Sequence, residues 1–193
     1  MFFFCTTSTL PNKIVRPPEI PEESLLLRIS SGDREALASL YRQTCSAVYG
    51  FILSILKNRH DAEDAMQDVY LKIAVSAAGY RPRGKPLAWI LTIARNIALM
   101  RLREQKRTVP AEPSELESSS EVTNLINEDS LFLREALRIL GEEERQILIL
   151  HAVVGLKHRE IAEILKLPLP TVLSKYSRSL SKLKKSLNGG EEI

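Results

Sequence analysis

The chain has 193 residues, 44% of which are hydrophobic, and a formal net charge of only +3. This composition is sufficient for a packed core and excludes a wholly disordered protein. The two cysteines, Cys5 and Cys45, form no CxxC pair or Cys/His cluster, so the sequence indicates neither a zinc site nor a disulfide framework. We expect no metal and no cofactor, and this use of cysteine fits a reducing cytoplasm best.

Residues 1–20 predict a flexible N-terminal tail, with prolines at Pro11, Pro17 and Pro18. The tail begins with three phenylalanines after the first methionine. That apolar run lacks a basic flank and is far too short for a signal peptide or a membrane span. The sequence therefore predicts no membrane insertion.

Apolar residues recur at helical spacing along the rest of the chain, and no stretch sustains the period-two alternation of a strand. The sequence therefore predicts an all-α fold. The first helix is expected over 22–30, Asp33 caps the second, Asp61 opens the third, and Pro86 lies in the first turn of the fourth. Leu71 is among the residues of the third helix that are predicted to face inward.

The fourth predicted helix and the loop before it, GYRPRGKP at residues 79–86, are strongly basic. Residues 81–107 carry eight basic side chains and one acid, a net charge of +7. Tyr80 and Trp89 accompany this charge, and aromatic rings among basic groups suit single-stranded DNA, because bases stack on rings while phosphates meet Arg or Lys. The alternative to stacking is core packing for Trp89 and an ordinary surface position for Tyr80, and the sequence leaves both alternatives open.

An acidic stretch without periodicity follows the basic helix. Residues 108–129 carry six acidic side chains and no basic one, and their serine-rich centre has little to bury. We predict a flexible acidic linker over 108–126, which divides the rest of the chain into two small helical domains, 21–107 and 127–188. Helices of the second domain are expected over 131–140, 142–154, 158–165 and 169–187.

Residues 158–180 have the pattern of a helix-turn-helix. The small Ala162 falls where two helices cross, Val172 returns an apolar anchor from the second helix, and two prolines suit the turn. The surrounding residues 157–187 carry eight basic side chains and two acids, a net charge of +6. Such a second helix can enter the major groove of DNA with its N-terminal residues. The candidate contacts are Arg159, Thr171, Ser174, Lys175 and Arg178.

The basic charge alone leaves other interpretations open. Charged helix faces are often simply solvated. Helical hairpins with an alanine at the crossing also occur in ordinary bundles.

A cluster of acids marks the start of the third predicted helix: Asp61, Glu63, Asp64 and Asp68. Carboxylates this close together could hold a metal ion or serve as an acid pair. They could equally complement the positive end of the helix dipole, or form an acidic surface that docks a basic partner. The residues by themselves leave these three possibilities open.

Several motifs in order resemble one known family, the extracytoplasmic-function (ECF) group of bacterial sigma factors, which are RNA polymerase specificity subunits. The resemblance spans about residues 24–187. It rests on GDREALASLY at 32–41, HDAEDAMQDVYLKI at 60–73, PLAWILTIARNIALMRLREQKR at 86–107 and REALRILGEEERQILILHAVVGLKHREIAEIL at 134–165. Met100, Lys166, Pro170 and Leu173 depart from the residues that are common in the family.

The resemblance implies specific roles. Core RNA polymerase would be contacted by Asp61, Asp64, Gln67 and Asp68. The minus-ten element would be opened and read by Tyr80, Arg81, Arg83, Lys85, Trp89, Arg95, Asn96, Arg101 and Arg103, with the loop at 79–86 as the cradle for a flipped base. The minus-thirty-five element would be read by the five helix-turn-helix candidates.

The resemblance also implies partners and an activity. The partners are core RNA polymerase, through its beta-prime and beta subunits, promoter DNA and an anti-sigma protein. No catalytic activity is expected. The rival interpretation is a stand-alone helix-turn-helix regulator, which leaves the acidic cluster and the basic-aromatic helix unexplained. A third is a small nuclease that uses the clustered carboxylates.

Overall fold

The computed structural model describes residues 21–108 and 139–188. The predicted tail (1–20), nearly all of the predicted linker and most of the predicted helix over 131–140 lie outside the described residues. Within the described ranges all regular elements are helical, which confirms the predicted all-α class. No helix in these ranges combines the length and the apolar character needed to cross a bilayer.

The first half of the chain forms four helices: α1 (Glu23–Ser30), α2 (Arg34–Leu56), α3 (Arg59–Ser76) and α4 (Pro86–Thr108), with a short 3-10 turn (Ala77–Gly79) after α3. Asp33 caps α2 as predicted, because its carboxylate accepts hydrogen bonds from the backbone N–H groups of Glu35 and Ala36. Helix α3 begins two residues earlier than predicted, since Asn58 is the cap that accepts from the Asp61 N–H.

One predicted core position in α3 is wrong. Leu71 is 68% exposed, whereas Val69 and Ile73 are fully buried. The buried face of α3 follows Ala65, Val69 and Ile73 at spacings of four, so a residue midway between two of these positions points to the opposite side of the helix. Leu71 therefore faces solvent.

The second half forms helix α5 (Glu142–Leu148), which continues as a π-helical turn (Ile149–Val153), followed by α6 (His158–Leu165) and α7 (Leu169–Asn188). The predicted helix-turn-helix is α6 and α7. Ile161 and Val172 are fully buried between them. At the turn, Lys166 adopts a left-handed conformation with φ of 54°, a geometry that glycine adopts with less strain. Pro170 lies in the first turn of α7, where a missing N–H is tolerated.

The two halves pack against each other. The sequence favoured two small cores, but most buried side chains of both halves form one continuous cluster, from Phe51 in α2 to Ile164 in α6. Among the described residues, two ion pairs join the halves: Lys57 to Glu142 at 2.9 Å and Lys85 Nζ to Glu163 Oε1 at 3.1 Å. Helical periodicity identifies an apolar face but not the element that covers it, which is why the sequence did not predict this packing.

Candidate nucleic-acid and polymerase interfaces

The exposed side of α3 carries a stripe of acidic and apolar side chains, which we call the docking stripe: Asp64, Gln67, Asp68, Leu71 and Val75. Spacings of three and four residues place these positions on one face over three turns. The Asp64 side chain is 66% exposed and Val75 is 80% exposed. The sequence predicted the acidic end of the stripe, while the apolar end appears only in the structure.

Side chains of helix α4 contact three carboxylates of α3. The Arg101 guanidinium pairs with Asp68 at 2.5 Å and lies 3.8 Å from Asp64. Gln105 donates a hydrogen bond to Asp61 Oδ2 at 2.6 Å. Asp61 and Arg101 therefore each bond to a side chain of the neighbouring helix. In the described ranges, no group of three or more His, Cys, Asp or Glu residues could hold a metal ion.

The loop before α4 is tied to α1 by one carboxylate that the sequence analysis missed. Glu23 accepts hydrogen bonds from the Tyr80 hydroxyl at 2.5 Å, the Arg83 N–H at 2.8 Å and the Gly84 N–H at 2.7 Å. The bond from Tyr80, followed by those from the backbone, lowers the pKa of Glu23, while burial and the contact with Glu23 raise the pKa of Tyr80 to about 12. Glu23 therefore stays charged and fixes the loop.

Tyr80 is less accessible than a loop tyrosine was expected to be. It is only 9% exposed, and its ring meets the edge of Trp89 at a centroid distance of 5.2 Å. Around this pair lies a shallow groove lined by the side of α4, the loop and two residues of α6: Tyr80, Arg81, Arg83, Lys85, Ala88, Trp89, Thr92, Glu163 and Ile164. The helix-turn-helix half therefore covers part of the surface assigned to the minus-ten element.

The other minus-ten candidates differ in their access to solvent. Asn96 and Arg103 are exposed on α4, as are Arg81 and Arg83 on the loop. Arg95 is half-buried, its Nε has no hydrogen-bond partner among the described residues, and burial lowers the pKa of its guanidinium. The exposed arginines are therefore Arg81 and Arg83, which line the groove, and Arg103, which lies three turns beyond it on α4.

A loop anchored by one carboxylate should loosen when that carboxylate is removed. We expect Glu23→Ala to slow promoter opening several-fold, because the Tyr80, Arg83 and Gly84 donors lose their shared acceptor. The measurement is the rate of permanganate-sensitive strand opening by the polymerase complex. Glu22→Ala is the matched control, since among the described residues the Glu22 side chain accepts a hydrogen bond from the Ser24 hydroxyl alone. Equal rates for both variants would rule out the anchoring role.

In the helix-turn-helix half, the predicted DNA contacts differ in their access to solvent. Lys175 pairs with Glu143 of α5 at 2.9 Å and is 25% exposed. Ser174 and Arg178 lie on the outer surface, and Arg159 is exposed on α6. Four of the five candidates have at least partial access to solvent, and none of the four has a carboxylate partner among the described ion pairs: Arg159, Thr171, Ser174 and Arg178.

Two histidines and a tyrosine join the elements of the helix-turn-helix. The His151 and His158 rings stack at a centroid distance of 4.2 Å, and both meet Tyr176 of α7 edge-on at 4.8 Å. His151 Nδ1 donates to the Leu156 carbonyl at 2.8 Å. His158 Nε2 is buried without a partner in the described region. Burial first, and then the neighbouring His151, lower the pKa of His158 below its usual 6.5.

This arrangement predicts sensitivity to acid. Because folding lowers the pKa of His158, the unfolded chain binds a proton at this histidine more readily than the folded chain does. Neutral His158 therefore stabilises the fold above its unfolded pKa. This stabilisation is lost as the pH falls below 6.5. We expect the urea concentration at the midpoint of unfolding to decrease when the pH is lowered from about 7.5 to about 5.5. His158→Phe keeps a stacked ring without a titrating group and should show a smaller fall. An equal fall in both proteins would show that other groups cause it.

Comparisons with known proteins give the class of the chain. The sigma-70 region 2 family matches residues 40–108, and the sigma-70 region 4 family matches residues 133–183. The ECF RNA polymerase sigma factor SigK of Mycolicibacterium vanbaalenii is 31% identical over 192 residues, covering 94% of this chain and 98% of that protein. The chain belongs to the sigma-70 family.

The similarity to this ECF sigma factor places the chain in the ECF group of the family. Two solved structures share its fold: CnrH in complex with the cytosolic domain of CnrY, and RpoE of Bartonella quintana in complex with the anti-sigma factor NepR. CnrH has a TM-score of 0.64 and 21% identity, covering 88% of this chain and 98% of CnrH. RpoE has a TM-score of 0.61 and 22% identity, covering 78% of this chain and 96% of RpoE.

The family membership confirms the function that the sequence motifs indicated. The chain is a sigma factor, which binds core RNA polymerase and directs it to promoters for transcription initiation. The rival interpretation, a stand-alone helix-turn-helix regulator, is thereby excluded.

Proposed function

We propose that residues 21–107 dock on core polymerase and open and read the minus-ten element, and that residues 127–188 read the minus-thirty-five element. The observation that carries this assignment is the separation of three surfaces in one chain. The docking stripe on α3 is acidic and apolar, whereas the α4 groove and the outer side of α7 are basic. A basic surface suits DNA, and an acidic one suits a basic protein partner.

The docking stripe is suited to a partner helix that offers both charge and apolar area. Asp64 and Asp68 lie at one end, and Leu71 and Val75 lie at the other. The ion pair with Arg101 fixes the orientation of Asp68 before any partner arrives, so little side-chain freedom is lost on binding. We assign polymerase contact to this stripe and to Asp61 at its edge.

For the minus-ten element, solvent exposure distinguishes the side chains that can contact DNA from those that form the groove beneath it. Asn96, Arg81, Arg83 and Arg103 are exposed and suited to contact opened DNA. Tyr80 and Trp89 form the floor of the groove, where a base lifted from the stack could rest. Lys85, paired with Glu163 of α6, and Arg95, which lies near Glu143 of α5, can join these contacts after the helix-turn-helix half moves away. Arg101 remains a candidate contact, with the pairing to Asp68 as a second role.

Several further assignments follow from the proposed role. Transcription initiation places the chain in the cytoplasm, where its thiols stay reduced. The surfaces described above bind macromolecules, and we assign no catalytic activity to them. Because CnrH was solved with CnrY and RpoE with the anti-sigma factor NepR, we propose that an anti-sigma protein also holds this chain. Co-purification from the native cell tests this assignment.

The packing of the two halves bears on how the chain reaches DNA. Glu163 and Ile164 of α6 line the groove beside Tyr80, and Glu163 forms an ion pair with Lys85. DNA can reach this groove only after α6 withdraws, and the same movement releases the helix-turn-helix to span a promoter. We propose that contacts with core polymerase supply the free energy for this separation.

Promoter binding should consequently depend on core polymerase. In a band-shift assay on a cognate promoter at physiological salt, we expect a specific complex with core enzyme and none with the free chain. The variant Glu163→Ala should bind more readily as the free chain, since it breaks the ion pair between the halves and leaves the Lys85 charge available to DNA. Tight, sequence-specific binding by the free unaltered chain would contradict this account.

A further inference from the structure

Helix α7 carries five basic side chains and no acid, and the structure sorts these charges onto two sides. Lys175 and Lys182 pair with Glu143 and Glu144 of α5, at 2.9 and 2.7 Å. Lys184 and Lys185 are exposed and have no acid partner among the described ion pairs, whereas Arg178 is exposed but its charge also acts on Glu144 of α5. Because a polyanion is attracted to charge that no nearby acid neutralises, DNA should approach the side of α7 that faces away from α5.

One large apolar side chain lies near the N-terminal end of that side. Leu173 is 46% exposed, and it precedes Lys184 by eleven residues, which is close to three helical turns and places both on one stripe. Its outer neighbours Ser174 and Ser177 are short, and the Ser174 hydroxyl already donates to the Thr171 carbonyl at 3.0 Å. Leu173 therefore projects beyond the serines.

We propose that Leu173 reads a thymine of the minus-thirty-five element by packing against its C5-methyl group; this inference rests on the proposed role of residues 127–188. The N-terminal residues of a helix in the major groove reach base edges, and the thymine methyl is the apolar group that this groove presents. The contact removes apolar area of both groups from water. Lys184, three turns further along, is placed to meet phosphate, which positions the helix without reading sequence.

The test removes the methyl group from the DNA. Polymerase holoenzyme containing the full chain is titrated with promoter duplexes in which each thymine of the minus-thirty-five element is replaced in turn by deoxyuridine. For the unaltered protein we expect one replacement to weaken binding by roughly fourfold, the value of one buried carbon group. The Leu173→Ala holoenzyme should bind that duplex and its thymine parent equally well.

Leu180→Ala is the matched control. Leu180 is 44% exposed and lies on the same stripe two turns further from the N-terminal end, so this variant should keep the preference for thymine. Circular dichroism of both variants checks that α7 is folded. If no deoxyuridine replacement affects the unaltered holoenzyme, or if Leu173→Ala keeps the preference, Leu173 does not read the methyl group. A holoenzyme that cannot tell the element from a scrambled sequence would contradict the minus-thirty-five assignment itself.

Discussion

Replacing both Asp64 and Asp68 with alanine is expected to weaken binding to core RNA polymerase by roughly tenfold or more, because charge complementarity across the docking stripe is lost. Asp64 is largely exposed, and Asp68 is held in one orientation by Arg101. The fold should survive, since exposed ion pairs contribute little to stability. Titration of labelled core enzyme measures the affinity, and circular dichroism measures the helix content.

Two further variants sharpen this result. Asp64→Ala alone keeps the Arg101–Asp68 pair, so any loss of affinity that it causes is separate from a disturbance of α4. Glu63→Ala removes an acid of the same helix that lies beside the stripe and is paired with Arg59 at 2.9 Å, and it should leave polymerase binding unchanged. Full polymerase affinity in the double variant would refute the docking role of the stripe.

We expect a substitution in one of the two DNA-binding surfaces to impair the step of initiation assigned to that surface and to leave the other step nearly normal. Arg178→Ala is expected to reduce transcription from promoters with a minus-thirty-five element, at a cost of about 1 to 3 kcal/mol for a lost base contact in the major groove. Initiation on a template whose minus-ten region is already open should be nearly normal. Asn96→Ala should do the reverse, since Asn96 is exposed on the helix to which we assign contact with opened DNA.

Abortive transcription on both templates, with each variant, gives the comparison. A matched control for Arg178 is Lys182→Ala on α7, because the Lys182 ammonium is paired with Glu144 of α5 at 2.7 Å. Equal failure of both DNA-contact variants on both templates would show that the proposed division between the two surfaces is wrong.

The elements that sequence patterns predicted well are those with a local cause. Asp33 supplies its side chain to the first turn of α2, and Pro86 fits the first turn of α4, so both helix starts were predicted correctly. The bounds of α6 were predicted because glycine, proline and apolar spacing all act within a few residues. Side chains that need no distant neighbour can be placed from the sequence alone.

The features that were missed depend on residues far apart in the chain. Glu23 precedes the loop that it holds by 57 to 61 residues, and no local pattern links a carboxylate in α1 to N–H groups before α4. Tyr80 was expected on the surface, but the contacts with Glu23 and Trp89 bury it. The apolar end of the docking stripe was missed for a related reason, since Leu71 was assigned to a core that other positions of α3 fill.

The most direct test of the account is run-off transcription with purified core polymerase on a promoter recovered from DNA that the reconstituted holoenzyme binds. We expect a defined transcript when the full chain is added to core enzyme, none with either component alone, and none with the Asp64→Ala, Asp68→Ala variant at limiting concentration. A transcript of equal amount from core enzyme with that variant, or specific promoter binding by the free chain without any transcript, would contradict it.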